Sequence, residues 1–396
     1  MDKKEFLNSY IDHNNGILRL KPAWVARDFL PPGRRLGLDE KMYELGDRGG
    51  ICERWLASTT VADNKIKVEG EGLSYLAATD DFSISLKDAI DLLPGRIMGE
   101  SYAKKHKGLG RLAKIFDYKY RLPYHIHQMK QHAALVGQNP KEEAYYFPEG
   151  VDMGEEAESY LGVHPYIAQE KKYDILLPYL EEWNSDGILQ HSRAYKLMPD
   201  DGFHIPSGTL HAPGSALTIE LQEDSDVFAM LQAKVGDRII PKDLLFKDVR
   251  REDKEKYGEK IILEMIDWET SGDPYFYENR HTPPLLKTDF DGEGANEYWI
   301  YYNTHLFSGT KLIVDPGKTI IVKDKGVYNF LVWKGSGTIA GSDFSANDFD
   351  RDEAVVCHDA AVSGITVSNT GNVPFVIFKF FGPDINDDVP MLKKYS

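Results

Sequence analysis

Cysteine is nearly absent from this chain: Cys52 and Cys357 are the only two in 396 residues. That excludes a disulfide framework and a thiolate zinc site. Basic charge is also scarce. Lys and Arg number 47 against 63 Asp and Glu, a formal net charge of −16, which argues against nonspecific binding to nucleic acid or an anionic membrane. An anionic ligand would have to be held by a few local cations. No apolar run reaches the roughly 18 residues of a membrane span. The first twenty residues scatter charged and polar side chains where a secretory signal would need an apolar stretch, so a soluble, cytoplasmic protein is expected. No period of about 20–50 residues recurs, which excludes solenoids and propellers. Hydrophobic residues at 42% and charged residues at 28% are ordinary globular values, so disorder is excluded and the length suits two domains.

What the chain does contain is a series of short β-branched and aromatic runs, at 143–147, 217–221, 298–302, 311–314, 319–322, 327–332 and 375–380. Gly, Pro, Asn and Asp separate them, the spacing of a β-sandwich or barrel. Helical stretches interrupt the pattern. Ser85 with Asp88 three residues on predicts a capped helix that Pro94-Gly95 ends. A second stretch, 155–183, has helical composition broken by Pro165 and Pro178. A third, 253–270, places Ile261, Ile262, Met265 and Ile266 at helical spacing. The segment 271–296, with Arg280-His281-Thr282-Pro283-Pro284, reads as a linker. The expected organisation is a β-domain over 1–240 with helical segments near 85–108 and 155–186, a helix and linker over 241–296, and a second β-domain over 297–396.

Histidine is clustered, seven of the twelve falling between His125 and His211. Positions i and i+2 of a strand point to one face, so His125 and His127 can offer both imidazoles to one interior point. Glu143 opens the aromatic strand Ala144-Tyr145-Tyr146-Phe147 and can present a carboxylate from a neighbouring strand. Pro206 and Gly208 make a tight turn that returns His211 at the head of the next strand. Three imidazoles and one carboxylate suit a divalent ion, Zn first, with Fe, Mn or Ni as alternatives, and leave room for water or substrate. An HxH triplet alone is weak, and satisfied core histidines are the competing reading. The full string of HxH, Glu with Gly seven residues later, and PxGxxH is far more specific.

This string is the two-part signature of the cupin superfamily. The stretches 114–117, 141–146, 203–212 and 220–226 around it, with Leu20-Lys21-Pro22, Glu53-Arg54-Trp55 and the helix after Ser85, resemble type I mannose-6-phosphate isomerase over about 18–226. The resemblance implies a mainly β bicupin, two jelly-roll barrels with helical additions and metal in the first only. It also implies conversion of mannose 6-phosphate to fructose 6-phosphate. Carried over by position, His127, Glu143 and His211 fall on family metal ligands, and Lys141 on a lysine placed at the active site. Two positions depart from the pattern. His125 stands where the family usually has glutamine, adding an imidazole. Met230 stands where many members carry an arginine assigned to catalysis or substrate binding, which removes a partner for sugar oxygens or phosphate.

Aldose–ketose isomerisation needs a Lewis acid and a base that moves a proton between C1 and C2. The candidate bases are Lys141, whose pKa would fall beside a dication, and His204, near neutrality unaided. Against these stand a surface lysine beside two glutamates and a strand histidine facing solvent or core. Arg111 and Lys114 are the nearest cations in sequence for a phosphate, whereas Lys104, Lys105 and Lys107 read as a solvated face. His132, His164 and His191 are expected to be peripheral. In the second β-domain Lys323-Asp324-Lys325 falls where HxH would be and His358 lacks the second motif. That domain is expected to be metal-free, serving as a wall of the pocket or a homodimer contact. The expected partner is a sugar or sugar phosphate. Two other functions fit the ligand set, a cupin metal oxygenase and a noncatalytic sugar-binding cupin.

Overall fold

The runs picked out by composition are strands in the structure, a computed structural model that describes residues 2–77, 83–170, 173–288, 290 and 292–396. They extend over Glu143–Phe147, Thr218–Glu223, Ala295–Tyr301, Ser308–Val314, Thr319–Val322, Tyr328–Lys334 and Phe375–Phe381. The registered pairs are antiparallel, and the molecule is mainly β.

By its internal contacts the chain falls into two units that do not follow its order. Unit I gathers 1–25, 54–115 and 282–391; unit II gathers 26–53, 116–281 and 392–396. The divisions fall inside three strands, Ala23–Arg27, Gly50–Leu56 and Arg111–Phe116.

Unit I is built on an eight-stranded sheet that takes in Ile17–Lys21 and Tyr75–Leu76 beside the C-terminal strands, together with a four-stranded sheet. Leu18, Leu20, Ile90, Ile97, Phe330 and Phe375 belong to its apolar core. The helix Leu86–Leu92 begins as expected, the Ser85 side chain accepting from the Asp88 N–H at 3.0 Å. It ends before Pro94, as expected, and Pro94 starts the next helix, Pro94–Met98, because a missing N–H costs nothing in a first turn. Within the segment that replaces HxH, Asp324 is ion-paired with Lys379 at 2.8 Å, and Lys379 with Glu297 at 2.6 Å.

Unit II carries two sheets relevant to the histidines. In one, Glu143–Phe147 lies between Asp201–Ile205 and Thr218–Glu223. In the other the order is Ala229–Met230, His125–Ile126, His211–Ala212, Glu158–Val163, Ser192–Lys196. The helical composition of 155–183 is overridden at its start: residues 158–163 form that strand, pairing through Leu161 with His211. Backbone pairing and burial of Leu161 and Val163 outweigh propensity here. Pro165 and Pro178 sit in the first turns of the short helices Pro165–Gln169 and Leu177–Glu182. The helix expected over 253–270 is three pieces, Arg251–Tyr257, Lys260–Glu264 and Trp268–Ser271. Gly258, at φ +58°, turns the chain between the first two. The expected linker contains a further helix, Phe276–Arg280. Among the described residues no helix is long and apolar enough to cross a membrane.

Candidate metal centre

Strand geometry alone brings the three motif histidines together. His125 pairs directly with His211 across the short antiparallel ladder, and His127 follows two residues later on the same face. The His125 and His211 rings lie 4.0 Å apart, His125 and His127 4.9 Å, and His127 and His211 5.0 Å. All three are buried, and they can offer ligand nitrogens within 4.8 Å of one another, a group that could hold a metal ion. Glu143, itself fully buried, enters from the other sheet. Its Oε2 is 3.0 Å from His127 Nε2 and its Oε1 3.0 Å from His211 Nε2.

The hydrogen bonds decide which ring nitrogen faces this point. His125 Nδ1 lies 2.6 Å from the Pro123 carbonyl, His127 Nδ1 2.7 Å from that of Val227, and His211 Nδ1 2.8 Å from that of Thr209. A carbonyl only accepts, so each Nδ1 carries the hydrogen and each Nε2 is left with a lone pair, the arrangement of metal-ligating imidazole. Burial, with the neighbouring histidines, holds His125 far below its usual pKa. Burial, with Lys141, takes His127 down to about 3. His127 and Glu143 are therefore not an ion pair. A lone pair and a carboxylate oxygen meet at 3.0 Å, and His127 Nε2 and His211 Nε2 are buried without a hydrogen-bond partner. Lone pairs directed at one another out of water require a positive charge between them, so the donor set fits a divalent cation.

Lys141 is the nearest fixed cation. Its buried Nζ is 3.1 Å from Glu143 Oε2 and 3.3 Å from Glu220 Oε1. Burial alone would lower its pKa; Glu143, Glu220 and Asp226 outweigh that and raise it. These carboxylates favour the protonated ammonium. Burial would raise the Glu143 pKa, but the Lys141 ammonium outweighs that and keeps the carboxylate ionised. The Tyr145 hydroxyl donates to Glu143 Oε1.

His204 is not brought to this point. His204 pairs with Ala144, whereas Glu143 pairs with Ile205, so the imidazole is on the opposite face of the strand. There its Nε2 meets Glu142 at 2.9 Å and its Nδ1 Arg280 at 3.4 Å. Arg111 and Lys114 belong to unit I and not to the unit that holds the histidines. Arg111 is turned to the backbone, donating to the Ala57 carbonyl at 3.3 Å. Met230 pairs with His125 and is buried.

Sequence reasoning quoted Glu220 and Asp226 within a motif but gave them no role. Glu220 pairs with Tyr145 on the Glu143 face. Asp226 draws together the two cations of that loop: Arg27 Nη2 is 3.3 Å from its carboxylate, and Lys247 Nζ 3.4 Å from its carbonyl. Arg27 is also paired with Glu53 at 3.0 Å. Both cations come from distant segments, which no local spacing reveals.

No protein-family model matches the chain. A Bacillus subtilis protein described as probable mannose-6-phosphate isomerase GmuF is 35% identical over 118 residues, 29% of this chain and 34% of the relative. The alignment thus spans about a third of that relative's length. Among solved structures, the mannose 6-phosphate isomerase of Bacillus subtilis superposes with a TM-score of 0.64 at 16% identity, covering 92% of this chain and 99% of its own. A phosphomannose isomerase variant from Salmonella typhimurium gives 0.58 at 12%, covering 93% and 100%. A mannose 6-phosphate isomerase bound with zinc and yttrium gives 0.58 at 11%, also covering 93% and 100%. The chain has the fold of these enzymes, and the sequence match supports the family resemblance carried by its motifs.

Proposed function

We propose that this chain is a metal-dependent aldose–ketose isomerase of a hexose phosphate, interconverting mannose 6-phosphate and fructose 6-phosphate, with zinc held by His125, His127, Glu143 and His211. The observation that carries the reading is the interior point at which neutral imidazoles and one carboxylate direct their lone pairs. A bound divalent ion supplies Lewis acidity to the carbonyl and hydroxyl oxygens of the sugar. In the aldose direction a proton leaves C2 and one reaches O1, giving an enediol; a proton then reaches C1 as O2 loses its own. Lys141, protonated beside two carboxylates, serves as the donor to the sugar oxygen. Glu220, its partner, takes the carbon-bound proton. His204, on the far face of the strand, has no part.

With Met230 in place of the family arginine, this reading gives the phosphate to the cations gathered at Asp226, Lys247 and Arg27. It also takes the two units as a pair of cupin barrels, unit I metal-free, in keeping with the Lys379–Asp324–Glu297 ion network there. The third imidazole, His125, favours one competing reading, an iron-dependent oxygenase. Metal analysis separates them, since zinc without iron removes the oxygenase. Incubation with mannose 6-phosphate and a panel of free and phosphorylated aldoses, following ketose by NMR, tests the isomerase. Tight binding of one sugar without turnover would instead indicate a binding protein.

A further inference from the structure

We infer that unit II carries a second ligand site, apart from the histidine cluster, for a small organic anion that joins a phosphate or carboxylate group to a ring. A cavity of about 480 Å³ opens there, lined among others by Trp268, Pro274, Arg280, Lys394 and Tyr395. That volume lies within the range of small-molecule sites, roughly 300–1,000 Å³.

Among the described residues Arg280, part of its lining, forms no ion pair. Arg280 Nε is buried with no hydrogen-bond partner, and Nη1 donates to Nδ1 of His204 at 3.4 Å. Three carboxylates that act on it are engaged by other groups, and exposed Glu269 also lines the cavity. Asp273 accepts from Asn279 Nδ2 and the Tyr275 N–H, both at 2.8 Å. Asp267 caps a helix through the Thr270 N–H at 3.0 Å and its hydroxyl at 2.7 Å. Glu142 takes His204 Nε2. Burial accordingly pulls Arg280 below its usual pKa despite Glu142, Asp273 and Asp267. Guanidinium stays charged; Arg280 is half-buried, and an anion in the cavity can use its open Nε–H.

The remaining walls suit a ring. Trp268 is held by its indole N–H on the Leu263 carbonyl at 3.0 Å. Tyr395 is fixed by two backbone bonds to Asn279, at 2.7 and 3.0 Å. Aromatic faces held in this way stack on a planar or sugar ring, and exposed Lys394 adds a second cation at the rim. The inference is independent of the chemistry assigned to the histidines.

Calorimetric titration of the full, metal-loaded chain with phenyl phosphate, benzoate and inorganic phosphate tests it. Phenyl phosphate or benzoate is expected to bind at least tenfold more tightly than inorganic phosphate, and whichever is tighter identifies the anionic group. Arg280→Gln should weaken that binding at least tenfold with metal content unchanged. Lys394→Met, at an exposed position, should weaken it several-fold and guards against a folding defect in the first variant. His127→Ala should leave it intact, which separates this site from the metal centre. Wild-type binding in Arg280→Gln and Lys394→Met, loss of binding in His127→Ala, or no binding of either ring compound would overturn the inference.

Discussion

Each of the three histidines spends Nδ1 on a backbone carbonyl and turns Nε2 inward, so removing any one deletes a donor that the others cannot replace. His127→Ala or His211→Ala should strip the metal and leave most of the fold, as metal analysis and circular dichroism would show; full occupancy in either variant would refute the ligand assignment. Lys141→Ala should keep the metal and lower kcat by about 10²–10⁴-fold, the usual scale of proton-transfer assistance. Unchanged turnover would remove it from the mechanism. Lys247→Met should raise KM for mannose 6-phosphate far more than it changes kcat; an unaltered KM would take the phosphate away from that lysine. The convergence of the three histidines and Glu143 was legible in the sequence because short spacings and strand periodicity fix their direction. His204 was not: its distance along the chain is right, but which face it takes depends on the register with Glu143–Phe147, and that is a property of two strands together.

The turn before His211 works because Gly208 adopts φ +81° and its surroundings leave no room for a side chain, a Cβ there meeting Met129 Cγ at 2.8 Å and Asp267 at 3.0 Å. Its N–H bonds to the His127 carbonyl at 2.7 Å and its carbonyl accepts from Asp267 N at 2.9 Å, so the turn locks two ligand segments at once. Gly208→Ala should cost about 1–3 kcal/mol and weaken metal retention, measurable by thermal melting and by competition with a chelator. At the open ends of the sheet, burial raises Glu223, beside Glu142, from 4.5 to about 7. The folded chain then holds a proton that the unfolded chain has lost between those values, so this group's contribution to stability falls as pH rises from about 4.5 to 7. Glu223→Gln should flatten that part of the dependence of Tm on pH; identical profiles would contradict the shift. Strand positions were readable from composition, and so were the Ser85 cap and the breaks at Pro165 and Pro178, but the bounds of the helices were not, because prolines and Gly258 cut them into pieces of four to seven residues that carry too little periodicity.

For the whole molecule, the acidic balance leaves few cations near the histidines, where Lys141, Arg27 and Lys247 are each engaged by carboxylates or carbonyls. The interleaving of the units was beyond sequence reasoning, since nothing local marks 1–25 and 54–115 as belonging with the C-terminal strands. Metal binding to the native state alone stabilises it by about 4 kcal/mol at a thousandfold excess over Kd. Chelation should therefore speed amide exchange around the metal-linked strands His125–Ile126 and Glu143–Phe147 first. The most direct test of the central claim is an NMR time course of the metal-loaded protein with mannose 6-phosphate. Fructose 6-phosphate should accumulate, stop on chelation and resume when zinc is restored. Metal-loaded protein that forms no ketose from mannose 6-phosphate would contradict it.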